Sequence, residues 1–361
     1  MSRFIEEGFI PLEVVEKPFE PPAWVGELKA AGYVPQRLGL PEPTSYCAGV
    51  VRGIDSTNLF IRDVKALGRV PYLYHAPIHS ESKLREWEEE GAVLVDDIDE
   101  VPDGGDVDFS AHGVGENIWE VARRKQLKGI DATCPLVEKT HREIAREAQN
   151  GAVVVLVGKE GHDEIEGSRN IVPEMTRILP LNATEDQIIK FFSNLEGVDV
   201  AISLQTTLAV KETKKTIDKI VAIRPDAHFP RVSDICYATQ HRQDGLDKAI
   251  DLTKPDLAVV FGSNEKSHTP SSNSIRLREL ASSRKVNAVL VENVHELDAS
   301  LFEGVNSIVV TAGASAAPER IKEFVLCMKE LGMTDDQIKR VVVAEESQQF
   351  APARRFDFSI V

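Results

Sequence analysis

Cysteine is scarce in this chain, with four in 361 residues. Thiols so few and so scattered cannot build a disulfide framework, and no two stand in the C-x-x-C pairs of zinc ribbons and ferredoxins. Long apolar runs are also missing. Runs such as residues 152–157 and 257–261 fall far short of the roughly 18–20 residues needed to cross a bilayer, so no membrane span is expected. The N-terminus lacks the cationic flank and apolar stretch of a secretory signal, and Glu6 and Glu7 argue against a transit peptide. The expected location is therefore cytoplasmic. Positive charge is in deficit: Lys and Arg number 42 against 58 Asp and Glu, a formal charge of −16. Such a surface repels phosphodiester backbones, and nucleic acid is not an expected partner. No G-x-G-x-x-G follows a strand, which counts against a nicotinamide-binding Rossmann enzyme.

What the chain does have is repetition. Cys47 opens CAGVVRGIDSTNLFIRDVKAL, Cys134 opens CPLVEKTHREIAREAQN and Cys236 opens CYATQHRQDGLDKAIDL. Each segment carries apolar residues at helical spacing with charges opposite, so each cysteine heads a helix. After each helix a β-rich run ends in a polar loop: residues 70–80, 152–167 and 257–274. A second strand then empties into a small polar turn at 107–115, 200–210 and 307–318. Strands alternating with helices, rich in Val and Ile, predict parallel sheets covered on both faces, with functional groups outside their carboxyl ends. The spacing of the cysteines suits three small α/β domains. The expected division is an N-terminal extension or docking arm over 1–38, domains over 39–133, 134–232 and 233–345, and a C-terminal tail over 346–361 that packs on a neighbour.

A lone cysteine is most simply a small buried hydrophobe. Three thiols at matching helix starts, where the helix dipole favours the thiolate, are instead poised to bind soft metal. Zinc and an iron–sulfur cluster both remain open at this point. On a four-iron cluster, three thiolates would leave one iron without a protein ligand and open to substrate. Cys327, within an apolar helical stripe (IKEFVLCMKEL), reads as core and not as a ligand.

Taken together, CAGV at Cys47, FSAHGV around His112, DATCPLV around Cys134, GHDEIEG at His162, QTTL at Gln205, DICYAT at Cys236, SSNS at Ser271 and TAGASA at Thr311 resemble the 4-hydroxy-3-methylbut-2-enyl diphosphate reductase family. The likeness runs over roughly residues 38–345. It implies a trefoil of three similar α/β domains, with mostly parallel sheets, around a central [4Fe–4S] cluster, one per chain. It also implies a reaction: reductive dehydroxylation of (E)-4-hydroxy-3-methylbut-2-enyl diphosphate to isopentenyl and dimethylallyl diphosphates, the last step of the methylerythritol phosphate route. Two electrons would come from ferredoxin or flavodoxin, with two protons. Carried over by position, Cys47, Cys134 and Cys236 are the implied cluster ligands, and Glu164 with Thr206 the implied proton-delivery pair. His79, His112, His162, Ser271, Ser272, Asn273 and Ser315 match the diphosphate-binding positions.

The chain departs from the family pattern in three loops. Pro43-Thr44-Ser45-Tyr46 replaces Pro-Arg-Gly-Phe before the first cysteine, with Val51 for an acidic residue. His75-Ala76-Pro77-Ile78-His79-Ser80 replaces His-Glu-x-x-His-Asn, and residues 265–270 add length before SSNS. The alternatives left open are a paralogue reducing a related allylic diphosphate and a non-catalytic iron–sulfur redox sensor.

Overall fold

A computed structural model describes residues 19–230 and 234–359. The expected boundary at 232/233 and most of the expected N-terminal extension lie outside the described residues. The chain divides into two compact units. One takes in the chain up to Cys47, His79–Glu81 and Tyr237–Gln349; the other takes in Ala48–Ile78, Ser82–Cys236 and the chain from Phe350.

The first unit is built on a five-stranded sheet in the order Asn287–Val291, Leu257–Phe261, Ser307–Ala312, Arg37–Glu42, Ile338–Val342, parallel throughout. Leu257–Phe261 and Ser307–Ala312 are buried at every position. A near-continuous Val/Ile run fits such a strand, because neither of its faces meets water. The strand Arg37–Glu42 straddles the expected start of the first domain, yet it pairs with Ser307–Ala312 and Ile338–Val342 of the third. From Phe19 onward, then, the stretch expected as an extension supplies Trp24, Val25, Leu28 and Leu38 to the core. The helix Ala23–Ala30 seats Trp24 flat on Phe302, with ring centroids 4.8 Å apart, and the indole Nε1 donates to Val294 O at 2.8 Å. Apolar residues at the period of a helix, placed beside a sheet, gain more by joining that core than by forming a separate arm.

The second unit holds two sheets. In one, Thr176–Pro180, Val153–Gly158 and Val200–Leu204 lie parallel in that order. The other runs Arg354–Asp357, Lys128–Asp131, Asp106–Phe109, Pro71–Tyr74, Val93–Val95, and only the first of these is antiparallel. That antiparallel edge is the C-terminal tail, anchored by Phe356 stacked on Phe109 at 5.2 Å. Helix Pro135–Gln149 begins with Pro at a position that needs no amide donor, and it buries Val137, Thr140 and Ile144 as one stripe. The fold class expected from the sequence, α/β with mostly parallel sheets, is the one observed. Among the described residues no helix is long and apolar enough to cross a membrane.

Replacing Trp24 by Ala removes a buried ring and its hydrogen bond to Val294 O, and should destabilise the first unit by roughly 3–5 kcal/mol. Trp24→Phe keeps the ring stack and loses the indole hydrogen bond, at about 1 kcal/mol. Urea unfolding of the two variants should order them so; equal midpoints would mean that the helix is not part of the core.

Candidate functional site

The three repeat cysteines share one local setting. Each stands immediately before a helix: Cys47 before Ala48–Ala66, Cys134 as the N-cap of Pro135–Gln149, and Cys236 before Tyr237–Thr253. Each donates its backbone N–H to the turn after a strand: Cys47 to Ala314 O at 3.1 Å, Cys134 to Ala111 O at 3.0 Å, and Cys236 to Thr206 O at 2.9 Å. All three are half-buried, whereas Cys327 is fully buried. Burial, with Glu323 nearby, pushes the Cys327 thiol up to about 12, so it stays protonated and inert. Half-buried thiols at positive helix ends suit an iron–sulfur cluster. Among the described residues no three His, Cys, Asp or Glu side chains are grouped to hold a single metal ion. Thiolates bound to different irons of one cluster need not reach a common ion.

In the second unit, the loop after Val153–Gly158 leads into a short helix, Asp163–Arg169, capped by His162. Glu164 follows, only 3% exposed. Its carboxyl is held at both oxygens by one residue: Thr206 N donates to Oε1 at 2.6 Å and Thr206 Oγ1 to Oε2 at 2.9 Å. Burial raises its pKa to about 7 against the lowering effect of both Thr206 bonds, so near neutrality it can keep or release a proton. Gln205 aligns the pair, accepting Lys159 N at 3.0 Å and donating Nε2 to Thr207 Oγ1 at 2.9 Å. One buried amide thus ties both loops together.

Burial favours the neutral form of His162 and His112. His162 Nδ1 accepts Glu164 N at 3.2 Å, which leaves the ring proton on Nε2. Burial and then repulsion from His112 pull its pKa down to about 4. Burial also lowers that of His112, although Asp163 opposes the effect. Two residues that the sequence reading passed over stand beside them. Asp163 lies 3.2 Å from His75 Nδ1 and 4.0 Å from His112 Nδ1. Burial disfavours the charged form of His75, but the Asp163 bond and charge outweigh it and raise its pKa. Sequence shows Asp163 only as one of several acids, and nothing local marks its bond to His75.

The first unit gathers the serines. Ser271 caps helix Ser272–Ser283, and its Oγ accepts Ser274 N at 3.3 Å, Ser274 Oγ at 3.0 Å and Ser315 Oγ at 3.2 Å. Glycine is required around them, because a Cβ on Gly262 or on Gly313 would lie 2.0 Å from Ser274 Oγ. Asn273 Oδ1 accepts Ala314 N at 2.9 Å and its Nδ2 donates to Thr239 Oγ1 at 3.1 Å. The carbonyl of that same Ala314 receives Cys47 N, so Asn273 holds the residue to which the Cys47 amide is bonded. Ser272 and His79 are half-buried. One of the loops that depart from the family pattern is tied here to the residue that follows another: Glu81 Oε1 accepts Ser267 Oγ at 2.6 Å and the His268 amide.

Comparison with known proteins agrees with this geometry. The family model described as LytB protein matches residues 39–329, which defines the class, and the chain belongs to that family. It is 37% identical to 4-hydroxy-3-methylbut-2-enyl diphosphate reductase of Rhodopirellula baltica, over 89% of this chain and 97% of that protein. It is 38% identical to the enzyme of the same name from Hahella chejuensis, over 82% and 90%. The solved structure of E-1-hydroxy-2-methyl-but-2-enyl-4-diphosphate reductase from Plasmodium falciparum superposes with a TM-score of 0.77 at 31% identity, covering 86% of this chain and 93% of that one.

A buried carboxyl whose pKa is raised from 4.5 to about 7 has a definite linkage sign. Folding costs nothing extra while Glu164 is protonated in both states, below about pH 4.5. The penalty grows as pH rises toward 7 and is complete above it. Between pH 5 and 8 the wild type should therefore lose a few kcal/mol relative to Glu164→Gln. Parallel stability curves for the two proteins would mean that Glu164 is ionised at an ordinary pKa.

Proposed function

We propose that this chain is a cytoplasmic iron–sulfur oxidoreductase that reduces (E)-4-hydroxy-3-methylbut-2-enyl diphosphate to isopentenyl and dimethylallyl diphosphates. Cys47, Cys134 and Cys236 would hold one [4Fe–4S] cluster, with electrons arriving from ferredoxin or flavodoxin. The observation that carries this reading is the repeated cysteine setting: three half-buried thiols, each heading a helix, each with its amide on a strand-end turn. Family membership supports it. When bound, such a cluster supplies electrons one at a time and a Lewis-acidic iron.

The chain's own groups do the rest. Hydroxide is a poor leaving group and departs readily only as water, so a proton must be delivered beside it. Glu164 is suited to that task, being protonated in part near neutrality and bonded at both carboxyl oxygens by Thr206. Neutral His112 and His162 can donate hydrogen bonds to phosphate oxygens without bringing charge into a buried place. Ser271, Ser272, Asn273 and Ser315 offer hydroxyls and an amide at the start of a 12-residue helix, where phosphate is favoured. With His79 they would hold the diphosphate and so fix the reacting carbon.

Reduction of a related allylic diphosphate is a second reading, favoured by Glu81, next after one altered loop, bonding Ser267 and His268 of another. Turnover compared across a series of allylic diphosphates separates the two.

Anaerobically isolated protein should contain iron and sulfide and turn over the hydroxylated diphosphate. Ser in place of Cys47, Cys134 or Cys236 should abolish iron binding, while Cys327→Ser should keep it. Retention of a full cluster by all three variants would end the proposal. Glu164→Gln should keep the cluster and lose at least about a hundredfold in turnover. As pH rises through about 7 the wild-type carboxyl loses its proton, so wild-type turnover should fall there and the variant's should not.

A further inference from the structure

The cysteine helices share a second feature that the activity above does not use. Arg52, Lys139 and Arg242 stand five, five and six residues after Cys47, Cys134 and Cys236. Each reaches the chain just ahead of a different cysteine. Arg52 Nη1 donates to Ala132 O at 2.7 Å and Thr133 O at 3.0 Å, the two residues before Cys134. Lys139 Nζ lies 3.5 Å from Asp234 Oδ1, two residues before Cys236. The other oxygen of Asp234 receives Leu204 N at 3.0 Å and Ser203 Oγ at 3.2 Å. Arg242 donates from Nη2 at 2.6 Å and from Nε at 3.1 Å to Ser45 O, two residues before Cys47.

These cations are placed where their hydrogen bonds decide something. Arg242 is 1% exposed, and the residue it holds, Ser45, is buried with φ at 64°. A side chain other than glycine costs energy in that left-handed region and stays there only when its surroundings hold it. The guanidinium of Arg52 is buried on carbonyl oxygens, and a buried cation demands negative charge nearby. Burial opposes its charge, and the nearby Asp131 carboxylate offsets that only in part. A point charge would meet that demand, but only the fork of a guanidinium also holds two successive carbonyls in place.

We propose that Arg52, Lys139 and Arg242 are positioning residues, each setting the thiol of the next cysteine in a closed order: the Cys47 helix sets Cys134, the Cys134 helix sets Cys236, and the Cys236 helix sets Cys47. This rests on the reading that the three cysteines hold a cluster. Each ligand is then aimed by a helix other than its own, so loosening one helix loosens a thiolate elsewhere in the chain.

The test uses the full-length protein, isolated anaerobically with its cluster. It is exposed to iodoacetamide, and early alkylation of each cysteine is followed by peptide mass spectrometry. In the wild type all three cysteines should be protected while the cluster is bound. Arg52→Gln should hasten alkylation of Cys134 relative to Cys47 by about tenfold, the usual scale for losing a group that orients a metal ligand. Arg242→Gln should do the same to Cys47 relative to Cys236. Wild-type protein in which any of the three reacts freely despite the bound cluster would overturn the cluster reading itself. Protection in the wild type, followed by first release at the variant helix's own cysteine or equal release at all three, would leave that reading standing and overturn the closed order. Should Arg52→Gln arrive without a cluster, Arg52→Lys keeps the charge on one nitrogen without the guanidinium fork, and Cys134 should still lead Cys47.

Discussion

The first amides of a helix have no partner within it, and at the head of each cysteine helix that need is met by one bond. The N–H of Cys47, Cys134 or Cys236 donates to a carbonyl of the turn that follows a parallel strand. A strand buried on both faces cannot shift, so the turn at its end is fixed, and so is the peptide that carries the thiol. The preceding residues are then gripped by a cation from another helix. Two independent restraints on three or four residues leave a cysteine little freedom. Metal ligands need such preorganisation if binding energy is not to be spent on ordering them.

Burial is the second organising force, and it acts on charge. Glu164, His112 and His162 all lie where ionisation is penalised, so the carboxyl tends to keep its proton and the imidazoles tend to lose theirs. The result is two imidazoles biased toward the neutral form beside a carboxyl that can hold a proton near neutrality. Asp163 is the exception. Its carboxylate, 3.2 Å from His75 Nδ1, favours the charged form of that ring, which balances one charge with another rather than removing both.

Much of this is legible in the chain. The three cysteine-headed helices, the Val-rich strands and the polar loops at their ends follow from hydropathy period and from the need to bury strands on both faces. Helix Pro135–Gln149 and strands Val153–Gly158 and Leu257–Phe261 lie where that pattern puts them. Less legible was the ownership of strands. Arg37–Glu42 is adjacent in sequence to the Cys47 helix, yet it pairs with strands from the far end of the chain, because strand pairing depends on register and burial and not on proximity along the backbone. The C-terminal strand Arg354–Asp357 carries no strong pattern and is recruited by an open sheet edge.

The order of residues by itself determined which groups this protein has to work with: three repeated thiols, a Glu and a Thr in two strand-end loops, clustered His, Ser and Asn side chains, and a cation one or two turns into each cysteine helix. It determined these because local periodicity and turn chemistry are short-range properties. Only the tertiary structure decided that Glu164 is bonded at both oxygens by Thr206, that Asp163 serves His75, and that Arg52, Lys139 and Arg242 each hold the approach to another helix's cysteine. Those pairings join residues tens to hundreds of positions apart, and their strength comes from exclusion of water, a condition that exists only once the sheets have been covered.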